Sequence, residues 1–366
     1  MIGADVGYGE SVLTDPEDLP PALLWSDDRA PGLLRRRAGK GFVYLGPDGT
    51  RANAATVQRI RALAIPPAWR DVWICADPSG HLQATGRDAR GRKQYRYHPG
   101  YRAHRDAEKF DRLLEFAQSL PKIRARVARD LRVTGMPKEK IVAAVVSLLE
   151  LTLVRVGNEE YARENGSYGL TTLRNRHAKF TPTTLRLVFE GKHGIAADVN
   201  VADARLRRVV RKCQDLPGQV LFQYVDDAGD AHPITSSDVN DNLRATAGSA
   251  VTAKDYSTWA GTLLAVDQLA GEPPPKSESM ASKTLAAALD DVSSYLRNTR
   301  AVSRSSYVHP AIVAWYCDGS LGERWHDASA RGSSQLLPEE RKLLSLLRSL
   351  RKSRTSRARA GRARAA

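Results

Sequence analysis

From Ile141 to Leu153 the chain reads IVAAVVSLLELTL, with Ser147, Glu150 and Thr152 as its polar side chains. A run apolar on nearly every side cannot lie on a surface, so it marks a buried segment. It is too short for a bilayer, which takes about 20 residues. Helical segments with one apolar face surround it in sequence. Phe110, Leu113, Leu114 and Ala117 recur at i, i+3, i+4 and i+7. ADARLRRVVRKC offers Leu206, Val209, Val210 and Cys213, and SKTLAAALDDVSSYL aligns Leu285, Leu289, Val292 and Leu296. Thr252 stands as a cap before another helical segment, and Pro310 can begin a short one. The apolar run ends in VRVGNEEYA, so Arg155 follows directly on a buried stretch. An unpaired buried charge is costly, and Arg155 therefore needs either a carboxylate partner or an anionic ligand.

Elsewhere the period is that of strands. GFVYLGPDGT alternates Phe42 and Tyr44 against Val43 and Leu45 and closes on a turn, and Asn53 then stands where a helix cap belongs. DVWICADPSGHLQATGRDARGRKQYRYHP reads as strand, turn, strand and basic loop. In TTLRLVFEGKHGIAADV, Leu185, Leu187 and Phe189 share a face, and Gly191 to Gly194 form a hairpin tip carrying Lys192. A lysine at such a tip is ordinarily just solvated. The expected fold is α+β: a small β-rich N-terminal domain, then a mostly helical domain with a small antiparallel sheet.

The formal charge is +15, and eight Lys or Arg with no acid lie between Arg348 and the C-terminus. The remaining +7 or so belongs to the body, and a surplus of this kind suits a polyanion such as nucleic acid. The stretch GRDARGRKQYRYH fits that partner. Arg87, Arg90, Arg92 and Lys93 can meet phosphates, while Tyr95 and Tyr97 present one face of a strand. An exposed basic hairpin with two packing tyrosines accounts for the same pattern. Cys75, Cys213 and Cys317 lie far apart without ligand spacing, which implies a reducing compartment and no structural zinc. The acidic, polar N-terminus does not read as a signal peptide, so a soluble cytoplasmic protein is expected. There are no internal repeats, no Gly-rich phosphate loop and no recognisable paired-carboxylate metal site.

The last feature is NTRAVSRSSYVHP, residues 298–310, where Tyr307 stands nine residues beyond Asn298. A tyrosine hydroxyl ionises near pH 10, so as a nucleophile toward a phosphodiester it needs surrounding groups that stabilise charge on the phosphate oxygens. Arg155, Lys192 and Asn298 are the candidates.

Taken together, GRDARGRKQYRYH, VRVGNEEY, GLTTLRNRH, FEGKHG, TAKDYSTWAGT and NTRAVSRSSYVHP, in that order, resemble the type IB DNA topoisomerases of the compact poxvirus-like bacterial branch. The likeness runs from about residue 30 to residue 320. It implies a monomer that clamps duplex DNA, with residues 31–100 as the DNA-clamping domain and 101–345 as the catalytic domain. Composition, not the likeness, marks the ends: residues 1–30, rich in Gly, Pro and Asp, are expected to be a poorly ordered lead, and 346–366, with too few apolar residues to fold, a basic disordered tail. The likeness also implies relaxation of supercoils through a DNA 3′-phosphotyrosyl intermediate, without ATP or metal. Tyr307 matches the nucleophile, Arg155 the first catalytic arginine and Lys192 the hairpin lysine that protonates the leaving 5′-oxygen. Asn298 matches a position held by His or Asn.

The chain departs from the pattern at Ser257, where the family has its second catalytic arginine. A serine hydroxyl is a neutral donor on a short stem and cannot make a bidentate cationic contact. Arg297 and Arg300 also replace small and proline residues, and either is a candidate substitute for the lost charge. Weakened chemistry is one expectation, and a catalytically silent DNA-binding relative is another. A tyrosine recombinase would have His-x-x-Arg where this chain has Lys254-Asp255-Tyr256-Ser257, and a basic RNA-binding protein would show no covalent DNA capture.

Overall fold

The computed structural model of the protein describes residues 19–89, 91–248 and 250–365; the side chains of residues 107, 161, 164, 165, 193 and 354–365 are outside that description. The chain forms two compact units, Met1–Lys109 and Phe110–Ala366. The boundary expected at residue 100 and this division both fall within one helix, Pro99–Asp130.

The first unit contains β1 (Leu33–Ala38), β2 (Gly41–Leu45), α1 (Ala54–Ala62), β3 (Arg70–Ile74), β4 (Leu82–Arg87) and β5 (Lys93–Tyr97). The strands form one antiparallel sheet in the order β2-β1-β3-β4-β5. Asn53 caps α1 as its position predicts, its side chain accepting from the Thr56 N–H at 2.9 Å. Ile60 of α1 packs with Leu33, Trp69, Val72, Ile74 and Ala84 in a small core. Of the lead expected to be poorly ordered, residues 1–18 lie outside the described residues. The remainder is anchored: the Leu24 N–H donates to the Ser79 carbonyl at 2.9 Å, and Trp25 stacks on His81 at 4.3 Å.

α2 (Pro99–Asp130) leads into the second unit. There follow α3 (Lys138–Thr152), α4 (Glu159–Asn165), β6 (Ala178–Phe180), β7 (Leu185–Glu190) and β8 (Ala196–Val201). Next come α5 (Ala204–Gln214), β9 (Gln223–Val225), β10 (Ala231–Pro233) and α6 (Ser236–Ala247). The chain ends with α7 (Ala253–Ala270), α8 (Glu278–Leu296), α9 (Arg300–Ser306), α10 (Pro310–Cys317), α11 (Leu321–Asp327) and α12 (Pro338–Ala365). Strands β6, β7 and β8 make a three-stranded antiparallel sheet, and β9 and β10 a hairpin. The fold is thus α+β, as the sequence periods predict.

α3 is the central element, with Ile141 to Val146, Leu148 and Leu149 all buried. The apolar faces predicted for α2, α5 and α8 are buried against the same core. α12 differs from expectation: Leu346 and Leu347 are core residues, so the segment assigned to a tail from 346 begins inside the domain, and the helical backbone continues to Ala365. Among the described residues no helix is long and apolar enough to cross a membrane.

One polar cluster crosses this core. Arg124 of α2 donates to Glu150 of α3 at 2.7 Å and to both carboxylate oxygens of Glu340 of α12 at 2.7 and 2.8 Å. The indole N–H of Trp259 on α7 also donates to Glu340, at 3.2 Å. Burial raises the pKa of Glu150 against the pull of Arg124, whereas for Glu340 burial is outweighed by its donors and the pKa is lowered. Arg124→Ala would leave the buried Glu340 and the half-buried Glu150 without their cation, a loss of up to about 3–5 kcal/mol. Both carboxyls would then titrate above their unfolded value of 4.5. The folded variant takes up protons more readily than its unfolded chain, so the deficit is full at neutral pH and narrows as pH falls toward that value. Urea midpoints of the two proteins across this range measure it.

Candidate active site

Arg155 is positioned by backbone constraints on both sides. α3 stops at Leu153, which takes a left-handed conformation (φ 51), and the chain then runs extended past Arg155 to Gly157 at φ 108. The carbonyl of Arg155 accepts from the Leu170 N–H at 2.9 Å, and that of Val156 from the Thr171 N–H at 2.7 Å. A Cβ on Gly169 would lie 2.5 Å from the Gly157 Cα and 2.6 Å from the Arg155 carbonyl oxygen, so the two segments meet only because both are glycine. One residue earlier, the Tyr168 N–H donates to the Glu190 carbonyl at 2.8 Å. The Tyr168–Leu170 segment therefore bridges Arg155 to the end of β7. Lys192 stands two residues beyond Glu190, in the 3-10 turn Lys192–Gly194 between β7 and β8, and is partly exposed.

Asn298 comes from the turn after α8, and Tyr307 from the end of α9. The Asn298 N–H donates to the Ser293 carbonyl at 2.8 Å, and its amide nitrogen to the Leu296 carbonyl at 3.0 Å. Its amide oxygen accepts from Nη2 of Arg155 at 2.5 Å. Of the two partners that the sequence allowed for Arg155, the carboxylate is absent among the described residues. A neutral amide holds the cation instead.

Tyr307 closes α9 and is 8% exposed, with no hydrogen-bond partner for its hydroxyl among the described residues. Its backbone lies directly on α7. A Cβ on Gly261 would come within 2.8 Å of the Tyr307 carbonyl oxygen and 3.1 Å of its Cβ. The Thr262 hydroxyl donates to that carbonyl at 3.2 Å and accepts from the His309 N–H at 3.1 Å. Gly261 and Thr262 are positioning residues that the sequence reading missed; their signal was a glycine inside an otherwise regular helix. Ser257 lies one turn before Gly261, on the same stripe of α7, and is half-buried. The neutral side chain thus occupies the helix face that meets Tyr307.

The two candidate substitutes for the missing charge differ. Arg300 is exposed and ion-paired with Asp290. Arg297 is half-buried, caps α8 in the left-handed region (φ 53, ψ 51) and donates from Nη1 to the Thr152 carbonyl at 3.2 Å.

In the N-terminal unit, Arg87 ends β4, and Lys93, Tyr95 and Tyr97 lie on β5, while Arg90 lies outside the described residues. Arg87 donates to the Gly91 carbonyl at 2.9 Å. Arg92 pairs with Asp88 at 2.7 Å and Lys93 with Asp28 at 2.6 Å. Tyr95 and Tyr97 stack at 6.0 Å, and both pack on Trp73, Cys75 and Leu82. Burial, reinforced by Tyr101 and Tyr95, pushes the Tyr97 hydroxyl up to about 12. The tyrosines share a face as predicted, but that face serves a small core. Arg36 and Arg37 of β1, not singled out in the sequence, are exposed and form no ion pair among the described residues.

Comparison with known proteins gives two family matches. Residues 98–318 match the profile described as eukaryotic DNA topoisomerase I, catalytic core. Residues 41–88 match that of the bacterial DNA topoisomerase IB N-terminal domain. The DNA topoisomerase 1B of Acanthamoeba polyphaga mimivirus is 33% identical over 285 residues, covering 76% of this chain and 85% of that protein. The DNA topoisomerase 1B of Vaccinia virus (strain Copenhagen) and the DNA topoisomerase I of Monkeypox virus are each 23% identical over 146 residues, covering 39% of this chain and 46% of theirs.

The Gly261 contact gives a direct test of the packing beneath the site. Gly261→Ala forces the backbone at Tyr307 away from α7, and overpacking of this kind costs about 1–3 kcal/mol. Thermal unfolding of the variant measures the loss, and Gly261→Val should be worse.

Proposed function

The chain belongs to the type IB DNA topoisomerases, and from that premise we propose that it relaxes supercoiled duplex DNA by transient cleavage of one strand at Tyr307. The tyrosyl oxygen attacks the scissile phosphorus as the P–O5′ bond breaks. Its proton passes to solvent, and Lys192 gives a proton to the departing 5′-oxygen. The 3′-phosphotyrosyl bond keeps the energy of the broken linkage, so the reversed step rejoins the strand without ATP. Arg155 and Asn298 hold the non-bridging oxygens, where the developing charge is greatest.

The observation that carries this reading is the contact between Arg155 and Asn298. A cation held by a neutral amide, rather than by a carboxylate, keeps its charge for a phosphate. The second reading, a relative that binds DNA without cutting it, is favoured by Ser257 on the Tyr307-facing stripe of α7. Both readings make the protein a monomer acting on duplex DNA through its cationic surface.

Plasmid relaxation in EDTA without ATP, with a denaturing gel for protein–DNA adducts, separates the two. The parent should relax the plasmid and form adduct; Tyr307→Phe should do neither while binding DNA as tightly. An adduct in the Phe variant moves the nucleophile elsewhere, and a parent that forms none leaves the silent reading. Lys192→Ala should cleave slowly and recover on a substrate with a 5′-bridging sulfur, whose leaving group needs no proton. Equal impairment on both substrates would remove Lys192 from the acid role.

Binding should weaken steeply with salt as phosphate contacts release counterions. Deleting residues 348–366, with their eight cations, should flatten that slope while single-turnover cleavage at saturating protein persists.

A further inference from the structure

We infer that Arg297 supplies to the scissile phosphate the cation that Ser257 withholds, an assignment that rests on the reading of the site as a phosphoryl-transfer centre. Arg297 occupies a left-handed backbone position at the end of α8 (φ 53, ψ 51), where glycine is the favoured residue and an arginine is strained. Its side chain does not extend into solvent. The guanidinium is half-buried and reaches the carbonyl of Thr152, the last residue of α3, three residues before Arg155. Asn298, the next residue along the chain, receives the Arg155 guanidinium. The two segments that carry the arginines are thus linked twice, by Arg155 to Asn298 and by Arg297 to the Thr152 carbonyl.

Neither arginine meets a carboxylate among the described residues. A guanidinium has five N–H donors, and the one recorded hydrogen bond of Arg297 uses Nη1. Burial lowers its pKa, as expected of a cation without a counter-charge. Both guanidinium groups keep N–H donors to spare, and a phosphodiester within reach of them would satisfy both. Arg300, the other candidate, is neutralised by Asp290 at the surface. The left-handed turn at 297 thus directs a cation inward that an ordinary helical residue at this position would direct along α8.

The test uses the full chain on a duplex whose cleaved strand cannot be rejoined, in single turnovers at saturating protein. Arg297→Gly should cleave about 10²- to 10³-fold more slowly, the loss seen when one charge-stabilising donor is removed. Its melting temperature should hold or rise, because glycine suits the left-handed turn. Arg297→Lys should fall between the two, and Arg300→Ala should stay within about threefold of the parent. On a substrate with an uncharged methylphosphonate at the scissile position, the gap between parent and Arg297→Gly should shrink to about threefold or less, since there is no phosphate charge to meet. Ser257→Arg should add little to the parent but restore much of the rate to Arg297→Gly.

Three results would overturn the inference and leave Tyr307 chemistry standing. These are an Arg297→Gly protein as fast as the parent, an equal loss on charged and uncharged substrates, or a Ser257→Arg protein about 10²-fold faster than the parent. A parent that forms no adduct overturns the inference together with the reading of the site.

Discussion

A single guanidinium, that of Arg124, ties four helices of the larger unit together. It binds Glu150 on α3 and Glu340 on α12, and Glu340 in turn receives the Trp259 indole of α7. Two of these helices carry the site: Glu150 lies five residues before Arg155, and Trp259 two residues after Ser257. A buried ion pair of this kind contributes little net stability against an apolar replacement, because desolvation offsets the Coulomb attraction. Its contribution here is register. A slip of α3 by one turn would part Glu150 from Arg124, and a slip of α7 would take the Trp259 indole from Glu340, so α3 and α7 have one arrangement in which all donors and acceptors are matched.

Against that cluster, Arg155 and Arg297 stand out for their partners. Arg124 meets two carboxylates, while Arg155 meets an amide and Arg297 a carbonyl. The same residue type is thus used in two electrostatic roles within one core. Paired charge fixes helices; a buried cation without a counter-charge costs free energy that a bound anion would return. Close backbone approaches fix the segments on either side: Gly169 lies against the Arg155 carbonyl, and Gly261 against Tyr307.

The periods of the sequence predicted the helices and strands well, because apolar faces must be buried: α5 and α8 bury the residues read from their spacing. Asn53, Thr252 and Pro310 likewise appear at the helix starts that their chemistry suggested. Composition misled at the C-terminus. A run rich in arginine looked unable to fold, yet Leu346 and Leu347 already face the core. In the site, the sequence could name Arg155 as a buried charge but not its partner, since Asn298 lies 143 residues away. The positions of Gly261 and Thr262 beside Tyr307 were equally hidden, because contacts between distant segments leave no period. Nor did the pattern GRDARGRKQYRYH reveal that Asp88 and Asp28 pair with two of its cations.

The side chain at 298 has one more consequence. Its oxygen faces Arg155 and its nitrogen faces the Leu296 carbonyl, so the two ends of an amide that are nearly alike in shape are told apart by their neighbours. One N–H remains, and it cannot be lost or gained by titration. An imidazole in the same place would change charge between pH 5 and 8 and carry the site with it. With asparagine there, the partner of Arg155 is electrically constant across the whole physiological range, and whatever acid–base behaviour the protein shows in that range has its origin at another residue.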